Sequence, residues 1–254
     1  MHWIQSLILG IVEGLTEFLP VSSTGHLILV SQWMKLEPTE FLKSFEIIIQ
    51  LGAVLAVVVL YAKRILSHLR IIPKIIVAFV PTGVLGLLFY KVIKHYLMGN
   101  SGVVLASLVI GGIIIIIFEK IFGRREGASD IETISYRNAF LIGLGQALSM
   151  IPGVSRSAAT ILTGLGLGIG RKAIVEFSFL LAIPTMLAAA GLDLLKNHAV
   201  IFSSGLGLLS LGFVTSFVIA ILGIKFFLKF IESHRLTAFG VYRIVLAILF
   251  GWMA

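Results

Sequence analysis

From Gly102 to Phe118 the chain runs through seventeen residues without a charged side chain, and a sequence that carries such a run has few possible surroundings. A helix built on it fits the ~30 Å hydrocarbon core of a bilayer. Comparable runs recur along the chain, and composition agrees with them: 58% of residues are hydrophobic and 13% charged, where a soluble domain has roughly 25% charged. A transmembrane β-barrel would instead show short segments of alternating polarity. The fold class is therefore an all-α polytopic membrane protein. The sequence has no cysteine, which excludes disulfides, thiolate catalysis and Cys-ligated metals and leaves chemistry to Ser, Thr, His, Glu, Asp, Arg and Lys. The net charge of +8 reads as cytoplasmic loops meeting anionic lipid, with no nucleic-acid partner. No Lys or Arg precedes the first apolar stretch, and Glu13 and Glu17 lie within it. It is thus unlike a cleavable signal peptide and is expected to remain in the mature protein.

The sequence matches itself at an offset of 133: Gly10–Thr16 aligns with Gly143–Ser149, and Val21–Thr24 with Val154–Ser157. A weaker match at 130 aligns Phe45-Glu46 with Val175-Glu176. The expectation is a single membrane domain of two repeats, 1–125 and 126–254. Each repeat opens with two short apolar segments broken by a Pro/Ser/Gly turn, Ile4–Leu19 with Gly25–Trp33 and Ala139–Ile151 with Ala158–Ile169. These read as re-entrant hairpins whose turns lie inside the membrane. Three spans follow in each repeat, at about 45–62, 75–90 and 102–118, then 177–192, 204–224 and 238–253. An odd number of spans per repeat gives the two repeats opposite orientations, the inverted plan.

Loop charges then set the sidedness. Five Lys residues fall on the side of the first hairpin's mouth, including those in the loops at 34–44 and 91–101 and Lys196 in the loop at 193–203. Thirteen basic residues fall on the other side, in the loops at 63–74, 120–137 and 225–236 and at Arg171 and Lys172. The second side is the cytoplasm. The two remaining basic residues, Arg156 and Arg243, lie within the membrane.

Ionisable groups at membrane depth cost at least ~2.5–3.5 kcal/mol each, so Glu13, Glu17, His26 and Arg156 call for a function. Glu13 and Glu17 are one helical turn apart on a shared face, where they can bind a cation, hold a proton or meet an opposing charge such as Arg156. Pro20–His26 reads as a break followed by a helix start, capped by Ser22 or Ser23, and Pro152–Ser157 repeats the device. Two such starts facing each other would aim free N–H groups and two positive helix dipoles at an anion, beside a guanidinium suited to phosphate. With Ser23 starting its helix, His26 falls on the same face and within reach of a seryl hydroxyl. A nucleophile, a base, carboxylates and a phosphate clamp together point to phosphoryl transfer. Glu46 and Glu176 are expected to begin their spans, favoured there by the helix dipole. Gln50, one turn after Glu46, either binds substrate or bridges helices. Arg243, next to Tyr242, is expected to pair internally.

The stretch Glu13–His26 resembles the first signature of the undecaprenyl-diphosphate phosphatases associated with bacitracin resistance, and Pro152–Ser157 with Thr160 resembles the second. The similarity extends to Gln50-Leu51-Gly52 and Glu176–Leu181, and departs at Ala158, where the family pattern has Gly. The resemblance implies an enzyme of the bacterial inner membrane that removes the terminal phosphate of a C55 polyprenyl diphosphate on the outer face, recycling the carrier lipid for peptidoglycan synthesis. Carried over by motif, its functional positions are Glu13, Glu17, Ser23, Thr24, His26 and Arg156. In the resulting scheme Ser23 attacks phosphorus and His26 takes its proton. Arg156, Ser22, Thr24, Gly153, Ser155, Ser157 and Gln50 bind the diphosphate. Glu13 and Glu17 bind a divalent cation, Mg2+ or Ca2+, or orient the histidine. A nucleophilic His26 or a Glu-activated water is the alternative, and assembly as a homodimer is left open. The rival reading is a secondary transporter or lipid-phosphate flippase, since inverted repeats and intramembrane carboxylates equip either. Phosphate release in detergent, where no gradient exists, separates the two.

Sidedness is testable because the chain has no cysteine. Single cysteines at Ser44 and Asn100 should react with an impermeant thiol reagent in intact cells. Those at Ser67 and Ser129 should stay silent until the membrane is opened, and the reverse pattern would invert the topology.

Overall fold

The structure is a computed structural model that describes residues 1–92, 100–122 and 130–253. Among these residues the elements are helices: α1 (Trp3–Thr16), α2 (Ser23–Trp33), α3 (Glu40–Ser67), α4 (Ile71–Val92), α5 (Ser101–Phe122), α6 (Tyr136–Ala147), α7 (Arg156–Gly166), α8 (Arg171–Ser204), α9 (Leu206–Ser233) and α10 (Thr237–Met253). Single 3-10 turns stand at Ile131–Thr133 and Leu148–Met150. Five helices, α3, α4, α5, α8 and α9, are long and apolar enough to cross a bilayer. This is a multi-pass membrane protein. The sixth expected span, α10, has 17 residues, a length of about 26 Å, slightly short of the hydrocarbon core.

The segments read as hairpins are helical pairs too short to cross. α1, α2, α6 and α7 have 14, 11, 12 and 11 residues, at most about 21 Å of helix. Local chemistry sets their ends. α1 stops at Thr16 ahead of Pro20, which has no N–H to continue a helix. α2 and α7 restart with Ser22 and Ser155 as N-caps, whose hydroxyls accept from the Gly25 and Ala158 amides. Ala158, the departure from the family pattern, therefore sits in the first turn of α7 rather than in the hairpin turn.

Most spans extend beyond their expected limits, and one expected loop is absent. The polar cluster from Asp193 to His198 suggests a loop at 193–203, but α8 continues as helix to Ser204 and turns only at Gly205, whose φ of 148° suits glycine alone. Polar side chains emerging from a bilayer do not end a helix; a missing N–H or a positive φ does. Glu46 and Glu176 likewise do not begin their helices, which start earlier at Glu40 and Arg171. Neither carboxylate is therefore held by a helix dipole. Glu46 accepts a hydrogen bond from Ser31 Oγ at 2.9 Å, and Glu176 pairs with Arg64 at 2.7 Å.

Packing crosses the midpoint of the chain. α1 lies against α9 and α6 against α4, while α3 touches α8 and α9, and α5 pairs with α10. Small residues set these contacts, as expected where lipid offers no hydrophobic drive for helix association. A Cβ on Gly10 would stand 2.7 Å from the Gly212 carbonyl oxygen, and one on Gly14 would stand 2.6 Å from that of Ser216. Gly112 and Gly240 approach each other in the same way across α5 and α10.

The loops separate to two ends of the bundle. At one end Arg171 clasps Glu119 with two bonds of 2.6 and 2.7 Å, the Leu236 amide donates to the same carboxylate at 2.9 Å, and Arg64 meets Glu176. At the other, Gln32 Nε2 donates to Ser101 Oγ at 2.9 Å, and Phe41 lies beside Gly205. Of the labelling positions, Asn100 and Ser67 are exposed, whereas Ser44 is fully buried within α3, so exposed Glu37 replaces it. Ser129, like Lys94, Arg124 and Arg125 of the charge count, lies outside the described residues.

The α5–α10 contact makes a stability prediction. Gly112→Ala would place a methyl 2.6 Å from the Gly240 carbonyl and should cost about 1–3 kcal/mol, read as a lowered melting temperature in detergent. Gly191→Ala, a helical position with no atom within 4 Å of the new Cβ, should leave melting unchanged or raise it.

Candidate active site

The turns of the two hairpins meet inside the bundle. Ser157 Oγ at the start of α7 donates to the Phe18 carbonyl of the first turn at 2.7 Å, so this hydroxyl is engaged in joining the turns. Gly153 has φ +94°, and a Cβ there would stand 2.7 Å from the Val104 carbonyl. Only glycine lets the second turn press against α5. Ser22 and Ser155, at φ 72° and 78°, hold matching positive-φ positions immediately before the two helices.

Arg243 of α10 binds both turns. It is fully buried, and its guanidinium makes five hydrogen bonds, all to backbone carbonyls. Nε donates to Leu108, Nη1 to Pro20 and Val154, and Nη2 to Ser107 and Gly153, at 2.7–3.3 Å. That is one bond for each N–H the side chain possesses. The expectation of internal pairing is borne out, with carbonyls rather than a carboxylate as partners. Gly111 supplies the space, since a side chain there would collide with the guanidinium.

Around these turns stand the ionisable groups that the sequence singles out. Ser23, the first residue of α2, donates its hydroxyl proton to Glu17 Oε2. Arg156, the first residue of α7, donates from Nη2 to Glu17 Oε1 at 3.3 Å and from Nη1 to the Ser178 carbonyl at 2.8 Å. Glu17 thus joins the seryl hydroxyl of one turn to the guanidinium of the other. All three side chains are buried. Glu13, one turn earlier and 0% exposed, has no hydrogen bond to either carboxylate oxygen, and Arg156 Nε and Ser178 Oγ nearby are also unpartnered. Groups left without partners in a buried site are unusual in a folded protein.

The counterpart of Glu13 at the 133-residue offset makes the contrast plain. Gln146 is equally buried but engaged through its amide nitrogen. That nitrogen donates to Thr82 Oγ1 at 3.0 Å and Thr185 Oγ1 at 3.2 Å, and the side-chain oxygen lies 3.4 Å from the Thr160 hydroxyl, whose proton goes to the Arg156 carbonyl at 2.8 Å. A structural amide occupies one position, an unsatisfied carboxylate the other.

His26 has other partners than the sequence suggests. Its Nδ1 lies 2.8 Å from the Ser22 backbone carbonyl and its Nε2 lies 2.7 Å from the Tyr242 hydroxyl. Both ring nitrogens thus have partners other than the Ser23 hydroxyl, whose proton goes to Glu17. Helical spacing fixes which residues share a face but not which edge of a ring finds a partner from another helix. Thr24 is exposed, and Gln50 is half-buried on α3 one turn beyond Glu46. Among the described residues no group of three or more His, Cys, Asp or Glu side chains forms a metal cluster, so a cation here would rest on the Glu13–Glu17 pair and on substrate oxygens.

Sequence reasoning missed Arg243 as the organiser of both turns, Tyr242 as the partner of His26, and Ser178 as a holder of Arg156. A signal was present for the first: an arginine costly to bury stands opposite Gly111-Gly112 in the most apolar run of the chain.

The sequence also has relatives. The family model described as "Bacitracin resistance protein BacA" matches residues 6–249. The "Undecaprenyl-diphosphatase" of Aquifex aeolicus is 48% identical over 247 residues, 97% of this chain and 96% of the relative. Proteins of the same name from Persephonella marina and Wolinella succinogenes are each 50% identical, over 98% of this chain and 98% and 97% of their own lengths. With nearly the whole chain matched and the motif residues gathered at the meeting of the two turns, the chain belongs to the bacitracin resistance protein BacA family.

Proposed function

We propose that this chain is an integral membrane phosphatase that hydrolyses undecaprenyl diphosphate to undecaprenyl phosphate and inorganic phosphate. The observation that carries the reading is the Ser23–Glu17–Arg156 chain of hydrogen bonds beside the unpartnered Glu13. A proton-coupled transporter needs the carboxylates but has no use for a serine bonded to one of them or for an arginine poised at the same point. The names of the relatives favour the phosphatase too.

Ser23 Oγ attacks the terminal phosphorus and its proton passes to Glu17, while the bond from that phosphorus to the bridging oxygen breaks. The leaving group is a phosphate monoester, stable as an anion. Water then splits the seryl phosphate: one of its protons returns to Ser23 Oγ, the other stays on the released phosphate, and Glu17 yields its proton to solvent. Arg156 and the first-turn amides of α2 and α7 hold the phosphate charge. Glu17 thus replaces His26 as the base for Ser23. The hydroxyl is favoured over His26 as nucleophile because both ring nitrogens already have partners. Glu13 and Glu17 would hold a divalent cation, Mg2+ or Ca2+, and Glu13's open oxygens fit that task. When bound, the cation offsets the negative charge of the diphosphate.

The exchange of contacts, α1 with α9 and α6 with α4, supports reading the chain as two inverted repeats. The gathering of cationic loops at one end of the bundle supports a cytoplasmic assignment for that end. The site then opens through the first hairpin to the outer face of the plasma membrane, where spent carrier lipid arises.

Ser23→Ala should lower kcat for phosphate release in detergent by several orders of magnitude with little loss of stability; retention of more than a tenth would move the role to Thr24, His26 or water. Arg156→Ala should depress kcat/KM by a factor of 100 or more, about the loss seen when one donor to developing charge is removed, and an unchanged value would sink the phosphate clamp. Chelation should abolish turnover, with recovery on adding Mg2+ or Ca2+.

A further inference from the structure

Tyr242 occupies a place that the reaction as described does not use. It lies on the outward row of α10 with Val241, Val245 and Leu249, and is 43% exposed, yet its hydroxyl reaches inward to His26 Nε2 at 2.7 Å. The two rings are nearly parallel, 4° apart in plane with centroids 5.6 Å apart. A carbonyl oxygen only accepts, so the 2.8 Å contact of His26 Nδ1 with the Ser22 carbonyl puts the ring proton on Nδ1. In the neutral ring Nε2 is then an acceptor, and the Tyr242 hydroxyl donates to it. The Ser22 carbonyl also accepts the His26 backbone N–H at 3.1 Å. Ser22 itself stands at φ 72°, a strained conformation for a residue with a side chain, and the next residue is Ser23. The neighbour of Tyr242 in sequence, Arg243, is fixed by its five carbonyl bonds, which sets the position of the phenol relative to the turn.

We propose that Tyr242 is a positioning residue for the phosphatase reaction: its hydroxyl fixes the orientation of the His26 ring, whose tautomer the Ser22 carbonyl sets, His26 braces the Ser22 turn, and the turn aims the Ser23 hydroxyl at Glu17. The inference rests on the phosphatase reading above. It assigns the phenol no contact with the reacting phosphorus.

The test compares the full-length protein with Tyr242→Phe, which keeps the ring and its packing and removes only the hydroxyl. Phosphate release from undecaprenyl diphosphate in detergent should show kcat lowered about tenfold with KM within twofold and melting unchanged. Incorporation of 3-fluorotyrosine at position 242 should restore the rate. In a His26→Asn background the same change should add nothing, because the tyrosine acts through the histidine. Nitrogen-15 NMR of labelled histidine should show the Nδ1–H tautomer for His26 in the wild type, with an Nε2 resonance that shifts in Tyr242→Phe as its hydrogen bond is lost. A Tyr242→Phe enzyme that keeps more than half of kcat, or an undiminished further loss in the His26→Asn background, would overturn the proposal. A wild type that releases no phosphate would overturn the phosphatase reading instead, and the Nε2 resonance would still decide whether Tyr242 holds the His26 ring.

Discussion

A guanidinium with five backbone carbonyls around it is the interaction on which the rest of this molecule depends. Helical hairpins that turn inside a membrane leave carbonyl groups without helical partners, in surroundings where water does not satisfy them. Arg243 takes three such groups, from Pro20, Gly153 and Val154, together with the Ser107 and Leu108 carbonyls of α5. The desolvation of a buried arginine is costly, and the turn carbonyls would be costly to bury alone. Each offsets the other. One side chain thereby locks the two turns and a spanning helix into register, and removal of its neighbouring glycines would deny it room.

With the turns fixed, the site follows from differences between corresponding positions. Ser23 and Arg156 are counterparts at the 133-residue offset. The first gives its position a hydroxyl, the second a cation, and Glu17 touches both. Glu13 and Gln146 are also counterparts, one left unsatisfied and the other satisfied by threonines. Glu46 and Glu176, at the second offset, repeat the pattern, since Glu176 has an arginine partner and Glu46 only a serine hydroxyl. Glu13 and Glu46, without an ion-pair partner among the described residues, thus lie in the first half of the chain, and the arginine that meets Glu17 comes from the second.

Much of this was legible in the sequence because the bilayer narrows the choices. Uninterrupted apolar length identifies the spans, Pro and Ser mark the hairpin breaks, and the cost of burying charge singles out Glu13, Glu17, His26 and Arg156 before any geometry is known. Helix ends were less legible: Asp193 and Lys196 suggest a loop where α8 continues, because polarity measures depth in the membrane and not the course of the backbone.

The sequence by itself determined the environment, the helical class, the broken hairpins and the identity of the central ionisable groups, since each depends on side-chain chemistry at a given position along the chain. Tertiary structure alone decided the partners. That Ser23 bonds Glu17, that His26 turns instead to Tyr242, and that Arg243 holds both hairpins depend on contacts between residues 6 to 223 positions apart. Such contacts arise only when α5 and α10 close through facing glycines and bring the two turns together, and no local pattern in the chain encodes which edge of a ring or which carbonyl lies within hydrogen-bonding distance.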